Sequence, residues 1–272
     1  MPDITIDDTL TMRYEDDCFV EPWRTPETVL LVHGVGGSIA EWYAWVPPLA
    51  AEYRVVRVDL RGWGGSSIPP EGYPWSMDRY ADDLAAFLDG MGLDKVHFVG
   101  TKLGGRIGLH FATRHPERLH TLSLVCTPMT IRFGPDDHGQ RLPREIGGRE
   151  GLERWARDTM EERLGAVDPA MTEWWVDLYT NCSPRVMGEV LRMAWETEEY
   201  SLLPGIGTPT LVVDSDAETP IPEIRRWQSI IPDSAFTEIE ISTEGRQISA
   251  SKPADCVAAV LDYLRARRPE GR

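Results

Sequence analysis

The chain has 272 residues, a net charge of −16 and 42% hydrophobic residues, which fits one large α/β domain with an inserted subdomain and disfavours nucleic acid or anionic membrane surfaces as partners. No apolar run approaches membrane-spanning length, and the opening MPDITIDDTL lacks the basic and apolar regions of a signal peptide. Cys18, Cys126, Cys182 and Cys256 show no paired spacing, so the expectation is a cytoplasmic protein with neither a zinc site nor a disulfide framework.

ITI (4–6) and TMRYE (11–15) read as the first strands, and their alternation fits an antiparallel opening pair. VLLVHG (29–34), RVVRVDL (54–60), VHFVG (96–100), LSLVC (122–126), TLVVD (210–214) and TEIEIS (237–242) follow, each bounded by Gly, Pro or polar residues. Helical patterns fill 78–91, 103–114 and 254–267. Strands that are apolar throughout, alternating with helices, predict an α/β fold: a mainly parallel, doubly wound sheet of about eight strands with helices on both faces.

Past Pro128 the strand pattern stops. The segments 149–164, 170–180 and 184–197 read as helices carrying Trp155, Trp174, Trp175 and Trp195 with Met160, Met171, Met187 and Met193. The expected division is a core of 1–128 and 204–272 with a helical cap of 129–203, lying over the strand ends where α/β proteins bind ligands. Most of these large side chains are expected to form the interior of the cap, with a minority facing the cleft.

The segment Val96–Gly105 reads VHFVGTKLGG: a strand, the turn Gly100-Thr101-Lys102-Leu103-Gly104, then a helix. That is the context of a G-x-S-x-G nucleophile elbow with Lys102 at its centre. His33-Gly34-Val35-Gly36-Gly37-Ser38 looks like an HG-x-G oxyanion loop, and Asp59-Leu60-Arg61-Gly62-Trp63-Gly64-Gly65-Ser66 like a D-x-R-G-x-G-x-S turn. Arg114-His115-Pro116-Glu117-Arg118 matches the segment that follows the elbow helix. In this order they resemble the α/β-hydrolase superfamily, and within it the small capped enol-lactonases and carbon–carbon bond hydrolases of aromatic degradation.

The resemblance implies a cofactor-free and metal-free enzyme acting on a small molecule. The amides of Val35 and Leu103 would form the oxyanion hole, and Gly34, Gly36, Trp63 and Thr127 would border the substrate. Asp59 and Arg61 would brace their turn as a buried pair, and Trp42 would pack a helix or line the pocket. In this family the catalytic His follows a Gly and precedes a Pro by seven residues; Gly245 and Pro253 hold that register here, around Arg246. Two positions compete for the acid. Counting forward from TLVV selects Glu218, and counting back from Thr219-Pro220 selects Asp216. His138 falls in the loop entering the cap, while His97, His110, His115 and His120 sit near strand and helix ends and read as structural.

A Ser-His-Asp mechanism needs a hydroxyl, a base and an orienting carboxylate. Lys102 and Arg246 supply neither of the first two, because a guanidinium stays protonated at working pH. Lys102 as an acyl acceptor would reach about 4 Å further than a serine oxygen, by summed bond lengths, and would end in a stable amide. Its place at a helix N-terminus, near Arg246, predicts a depressed pKa. A partly neutral amine could form a Schiff base or shuttle a proton; a charged one would bind a carboxylate or stabilise an enolate. Lysine is scarce among the 28 cationic residues, occurring only at Lys95, Lys102 and Lys252, which argues for selection of an amine at the elbow.

The leading expectation is therefore a non-serine enzyme of this fold acting on a carbonyl-containing, anionic small molecule by lyase, isomerase or cyclase chemistry, with secondary metabolism as the family analogy. Lys102 is the amine, Arg246 the anion clamp, and Asp216 or Glu218 the counter-charge. An inactive ligand-binding pseudoenzyme and a hydrolase using acid-activated water are the alternatives. Neither nucleic acid nor membrane is expected as a partner, and a homodimer is among the assemblies allowed.

Overall fold

In the computed structural model the described residues are 2–129, 146 and 148–267. Eight strands form one sheet: β1 (Asp3–Asp7), β2 (Leu10–Asp17), β3 (Thr28–Val32), β4 (Arg54–Val58), β5 (Val96–Thr101), β6 (Leu119–Val125), β7 (Thr210–Asp214) and β8 (Ser234–Glu238). Their order across the sheet is β1-β2-β4-β3-β5-β6-β7-β8. β2 pairs antiparallel with both β1 and β4, and every other pairing is parallel.

The parallel strands are apolar on both faces because both faces are covered. Val29 and Leu31 pack with Trp42, Trp45 and Leu49 on one side, while Leu30 and Val32 join Tyr80, Leu84 and Phe87 on the other. Each such side chain, fully withdrawn from water, contributes roughly 2 kcal/mol. The covering helices are α1 (Val46–Ala50), α2 (Met77–Gly90), α3 (Leu103–Arg114), α7 (Ile221–Gln228), α8 (Ile248–Ser251) and α9 (Pro253–Arg265). α2 starts where Ser76 accepts the Arg79 amide at 3.1 Å, a side-chain N-cap.

Between β6 and β7 lie α4 (Arg149–Leu164), α5 (Pro169–Thr180) and α6 (Pro184–Glu196). They pack onto the C-terminal edge of the sheet: Trp75 donates to Glu189 at 2.8 Å, and Arg185 to the Pro69 carbonyl at 2.6 Å. The chain leaving α6 is anchored on the elbow helix, where the buried Arg106 binds Glu199 at 2.8 Å and the Thr197 carbonyl at 2.9 Å. Trp175, Met160 and Met187 are interior, while Trp174 and Trp195 are exposed.

Three expectations change. The last strand is Ser234–Glu238, not 237–242. It pairs with β7 from Thr210↔Ser234 to Asp214↔Glu238, and the ladder ends where its neighbour ends; the alternation in TEIEIS instead sends Ile239 and Ile241 into the core behind it. The turn after β4 is braced differently too. Arg61 pairs with Asp83, at 2.7 Å through both Nε and Nη2, whereas Asp59 accepts the amides of Ile39 and Gly65, each at 2.7 Å. Finally, Trp63 is only 1% exposed; its indole N–H donates to Tyr80 at 3.2 Å and its ring stands edge-on to His33. Trp42 is likewise interior, edge-on to Trp45.

Candidate active site

Lys102 sits at the end of β5 with φ 51° and ψ −115°. This left-handed geometry costs a residue with a Cβ of order 1–3 kcal/mol, and the flanking glycines make it possible. A Cβ on Gly100 would overlap the Gly104 backbone, and one on Gly104 would overlap the carbonyls of Val32 and His33. The turn lifts the Lys102 side chain clear of the sheet, at the strand ends where α/β folds gather ligand-binding groups.

Two other loops reach the amine. Lys102 Nζ donates to Glu218 Oε2 at 2.7 Å, from the segment after β7, and to the backbone carbonyl of Arg246 at 2.9 Å, from the segment after β8. Glu218 also meets the Arg246 guanidinium at 3.4 Å, which in turn approaches Glu162 at 3.5 Å. The structure thus brings Lys102, Glu218 and Arg246 together. Asp216 and Glu218 are both exposed, and it is Glu218 whose carboxylate bonds to the amine.

The electrostatics correct the expected depressed amine. Burial disfavours the ammonium, but the Glu218 carboxylate, with Cys126 and Asp214 behind it, outweighs that penalty and holds Lys102 above the ordinary lysine value. Glu218 answers in kind. Burial alone would raise it, yet Lys102, then Arg246 and Arg163, keep it below the ordinary range. Asp214, the last residue of β7, is pushed by burial up to about 7 despite the pull of Lys102. At neutral pH the centre therefore holds an ammonium, a carboxylate and a second carboxyl near its midpoint.

The oxyanion loop lies beside the elbow: a Cβ on Gly34 would come within 3.1 Å of Lys102 Cβ. Gly36 has φ +76°, and Tyr179 and Met187 of the helical insertion press on it, at 2.8 Å and 2.9 Å from where a Cβ would stand. The inserted helices thus lie against this loop. Among the described residues neither the Val35 nor the Leu103 amide donates to another backbone group. His33 is buried and its pKa is lowered by burial; Nδ1 contacts the Gly34 carbonyl at 2.7 Å and Nε2 accepts the Leu60 amide at 3.0 Å. Thr127 is buried behind the elbow, and a Cβ on Gly105 would overlap it.

Four residues escaped sequence reasoning. Glu41, 6% exposed, is held against the Gly34 backbone, and burial pushes it up to about 8. Asp214 looked like the last residue of a strand. Tyr179 and Arg163, both from the cap, meet at 3.1 Å between Tyr179 Oη and Arg163 Nη1; no motif marks them, and a basic residue in a last helical turn usually reads as dipole compensation. His138 lies outside the described residues. His97, His110 and His115 bind Glu27, Asp78 and Asp82 at 3.2, 2.7 and 2.9 Å, away from Lys102.

A strand-turn-helix elbow, with three loops converging at the ends of the parallel strands, defines a protein of α/β-hydrolase architecture. The family model described as alpha/beta hydrolase fold matches residues 27–243, and the chain belongs to that family. A protein from Caulobacter segnis named as the carbamate hydrolase RutD is 43% identical over 117 residues, 42% of this chain and 42% of its own length. A pimeloyl-[acyl-carrier protein] methyl ester esterase from Aeromonas hydrophila is 41% identical over 108 residues, 40% of this chain and 41% of its own. The matched stretch thus spans about two fifths of these relatives. Among solved structures, the enol-lactonase of Burkholderia xenovorans LB400 superposes with a TM-score of 0.85 at 20% identity, covering 97% of this chain and 100% of that one. A thermophilic esterase from Thermogutta terrifontis gives 0.84 at 27% identity, covering 98% and 99%.

Proposed function

We propose that this chain is an enzyme that has exchanged the serine nucleophile of its family for a charged lysine, and that it performs proton-transfer chemistry on a carbonyl-containing, anionic small molecule held between cap and sheet. The observation that carries the reading is the Lys102 ammonium, fixed at 2.7 Å from Glu218 in the strained elbow. An ammonium at that point is an electrophile. It donates to a carbonyl oxygen as negative charge develops there, which is the task of an oxyanion hole.

The paired carboxylate supplies the other half. While Lys102 is bound to it, Glu218 is a weak base; when the ammonium turns to substrate oxygen, that pairing loosens and Glu218 regains basicity. Transfer of a proton from the carbon beside the carbonyl to Glu218 leaves an enolate on Lys102. Return of the proton at another carbon completes an isomerisation, and expulsion of a leaving group completes an elimination. Schiff-base chemistry is disfavoured, because it needs a neutral amine.

Solvent exchange tests this directly. Incubation with a panel of keto acids in deuterium oxide, followed by proton NMR, should show loss of the signal from the carbon next to the carbonyl for at least one compound. Lys102→Ala should abolish the exchange. Exchange that persists undiminished in Lys102→Ala, or a borohydride-trapped adduct on Lys102, would end this reading.

A further inference from the structure

Three cations surround the candidate site, and the carboxylates are shared unequally among them. Lys102 has Glu218, and Arg246 has Glu218 and Glu162. Arg163, at the end of α4, acts on both from a distance but bonds to neither: its Nε donates to Thr159 at 3.1 Å and its Nη1 to Tyr179 at 3.1 Å. Among the described residues it forms no ion pair, although Glu162 is its neighbour in sequence. Among the described residues Arg61 and Arg106, more deeply buried than Arg163, are each paired, with Asp83 and with Glu199.

The guanidinium of Arg163 is also built into place. Its Cζ lies 4.4 Å from the centre of the Trp155 ring and 4.8 Å from that of Tyr179, two aromatic contacts that fix a planar cation. The far edge of Tyr179 covers Gly36 of the oxyanion loop, and the Arg163 carbonyl accepts the Gln247 amide at 2.8 Å beside Arg246. Arg163 is therefore within the field of the site. Burial, and less strongly the neighbouring Arg246, weigh against its charge, Tyr179 and Glu162 offset that only in part, and a guanidinium does not give up its proton. With no carboxylate in ion-pair contact among the described residues, this half-buried, ring-fixed guanidinium is placed to take an external anion.

Resting on the reading above, we infer that Arg163, flanked by Trp155 and Tyr179, is the substrate-carboxylate subsite, and that the ligand presents a planar carboxylate joined to a flat or aromatic body. This moves the anion clamp from Arg246, already neutralised by Glu218 and Glu162, to a cap residue. A planar carboxylate suits the guanidinium fork, and an aromatic body suits the rings beside it.

The probe is benzoate, with benzamide as its uncharged counterpart, added to the full chain at low ionic strength. Phenylglyoxal modification read by peptide mass mapping should label Arg163, and benzoate should protect it while benzamide does not. By calorimetry or ligand-observed NMR, Arg163→Gln should weaken benzoate by about tenfold or more, the scale of one charge-assisted contact, with Arg163→Lys intermediate and Arg246→Gln near wild type. Protection or loss that follows Arg246 instead, equal binding of benzoate and benzamide, or no benzoate binding to the wild-type chain would overturn the assignment. The labelling arm needs no variant, so a misfolded Arg163→Gln does not blunt the test. Failure of the Lys102 exchange experiment with Arg163 still protected would sink the chemistry and leave the subsite standing.

Discussion

Arg246 meets Lys102 through its backbone: its carbonyl oxygen accepts from Nζ at 2.9 Å, while its guanidinium turns to Glu218 at 3.4 Å. The main chain at this position therefore orients the amine whatever side chain follows. Glu218 is the group that sets the amine's charge.

Glu218→Gln should accordingly lower the pKa of Lys102, because it removes the carboxylate that outweighs desolvation. Acetylation of Lys102, followed by mass mapping from pH 6 to 10, should show faster labelling than wild type across the range, since more amine is neutral. Arg246→Gln should leave the curve nearer to wild type. Identical profiles for Glu218→Gln and wild type would refute the pairing.

Lys102→Gly should separate stability from function. Glycine accepts φ 51° without the Cβ penalty, a gain of order 1–3 kcal/mol that is offset by the lost, partly exposed ion pair with Glu218, typically worth up to about 1 kcal/mol. The net expectation is a melting temperature equal to or above wild type, with proton-exchange activity gone. A clear drop in Tm would mean that the elbow is relaxed around lysine.

Glu41 makes stability depend on pH. Its carboxyl is raised from 4.5 to about 8 in the fold, so the folded state binds its proton more tightly than the unfolded chain. Its stabilising contribution is complete below about pH 4.5 and is lost as pH rises through about 8, at roughly 1.4 kcal/mol per unit of difference. Glu41→Gln should flatten this decline and melt higher than wild type at pH 8, as read by denaturant unfolding at several pH values. A decline of equal slope in the variant would clear Glu41 of responsibility.

Asp214 should be felt at Lys102 near neutrality. As it ionises around 7, it adds a second negative charge behind the ammonium and holds the amine more firmly protonated. Asp214→Asn should therefore remove an inflection near pH 7 from the pH profile of Lys102-dependent exchange. An inflection that survives in the variant belongs to another group.

Much of this was legible in the residues. The glycines at 100 and 104 announced the elbow because a side chain at 100 would meet the Gly104 backbone and one at 104 the Val32 and His33 carbonyls, and apolar strands with helical segments between them pointed to the sheet. Of the two acid candidates only Glu218 carries its carboxylate to the amine, a choice that depends on how the segment after β7 folds and not on counting. The expected depression of the Lys102 pKa fails because helix position and burial can be inferred from sequence, whereas a carboxylate 116 residues away cannot be given a distance. Asp59 and Arg61 misled for a similar reason: proximity in a motif suggested a pair, and each found a better partner elsewhere, one in backbone amides and the other in Asp83.

The seam between α4 and the segment after β8 is stitched by main-chain bonds: the Arg246 amide to the Glu162 carbonyl at 3.2 Å, the Gln247 amide to the Arg163 carbonyl at 2.8 Å, and a bridge from Gly165 to Glu244. Gly245 has no room for a Cβ against the Arg163 backbone. Lifting the cap along this edge would drag away the oxygen that steadies the amine. Admission of a guest from that side and rearrangement of the lysine's surroundings are thus mechanically one movement.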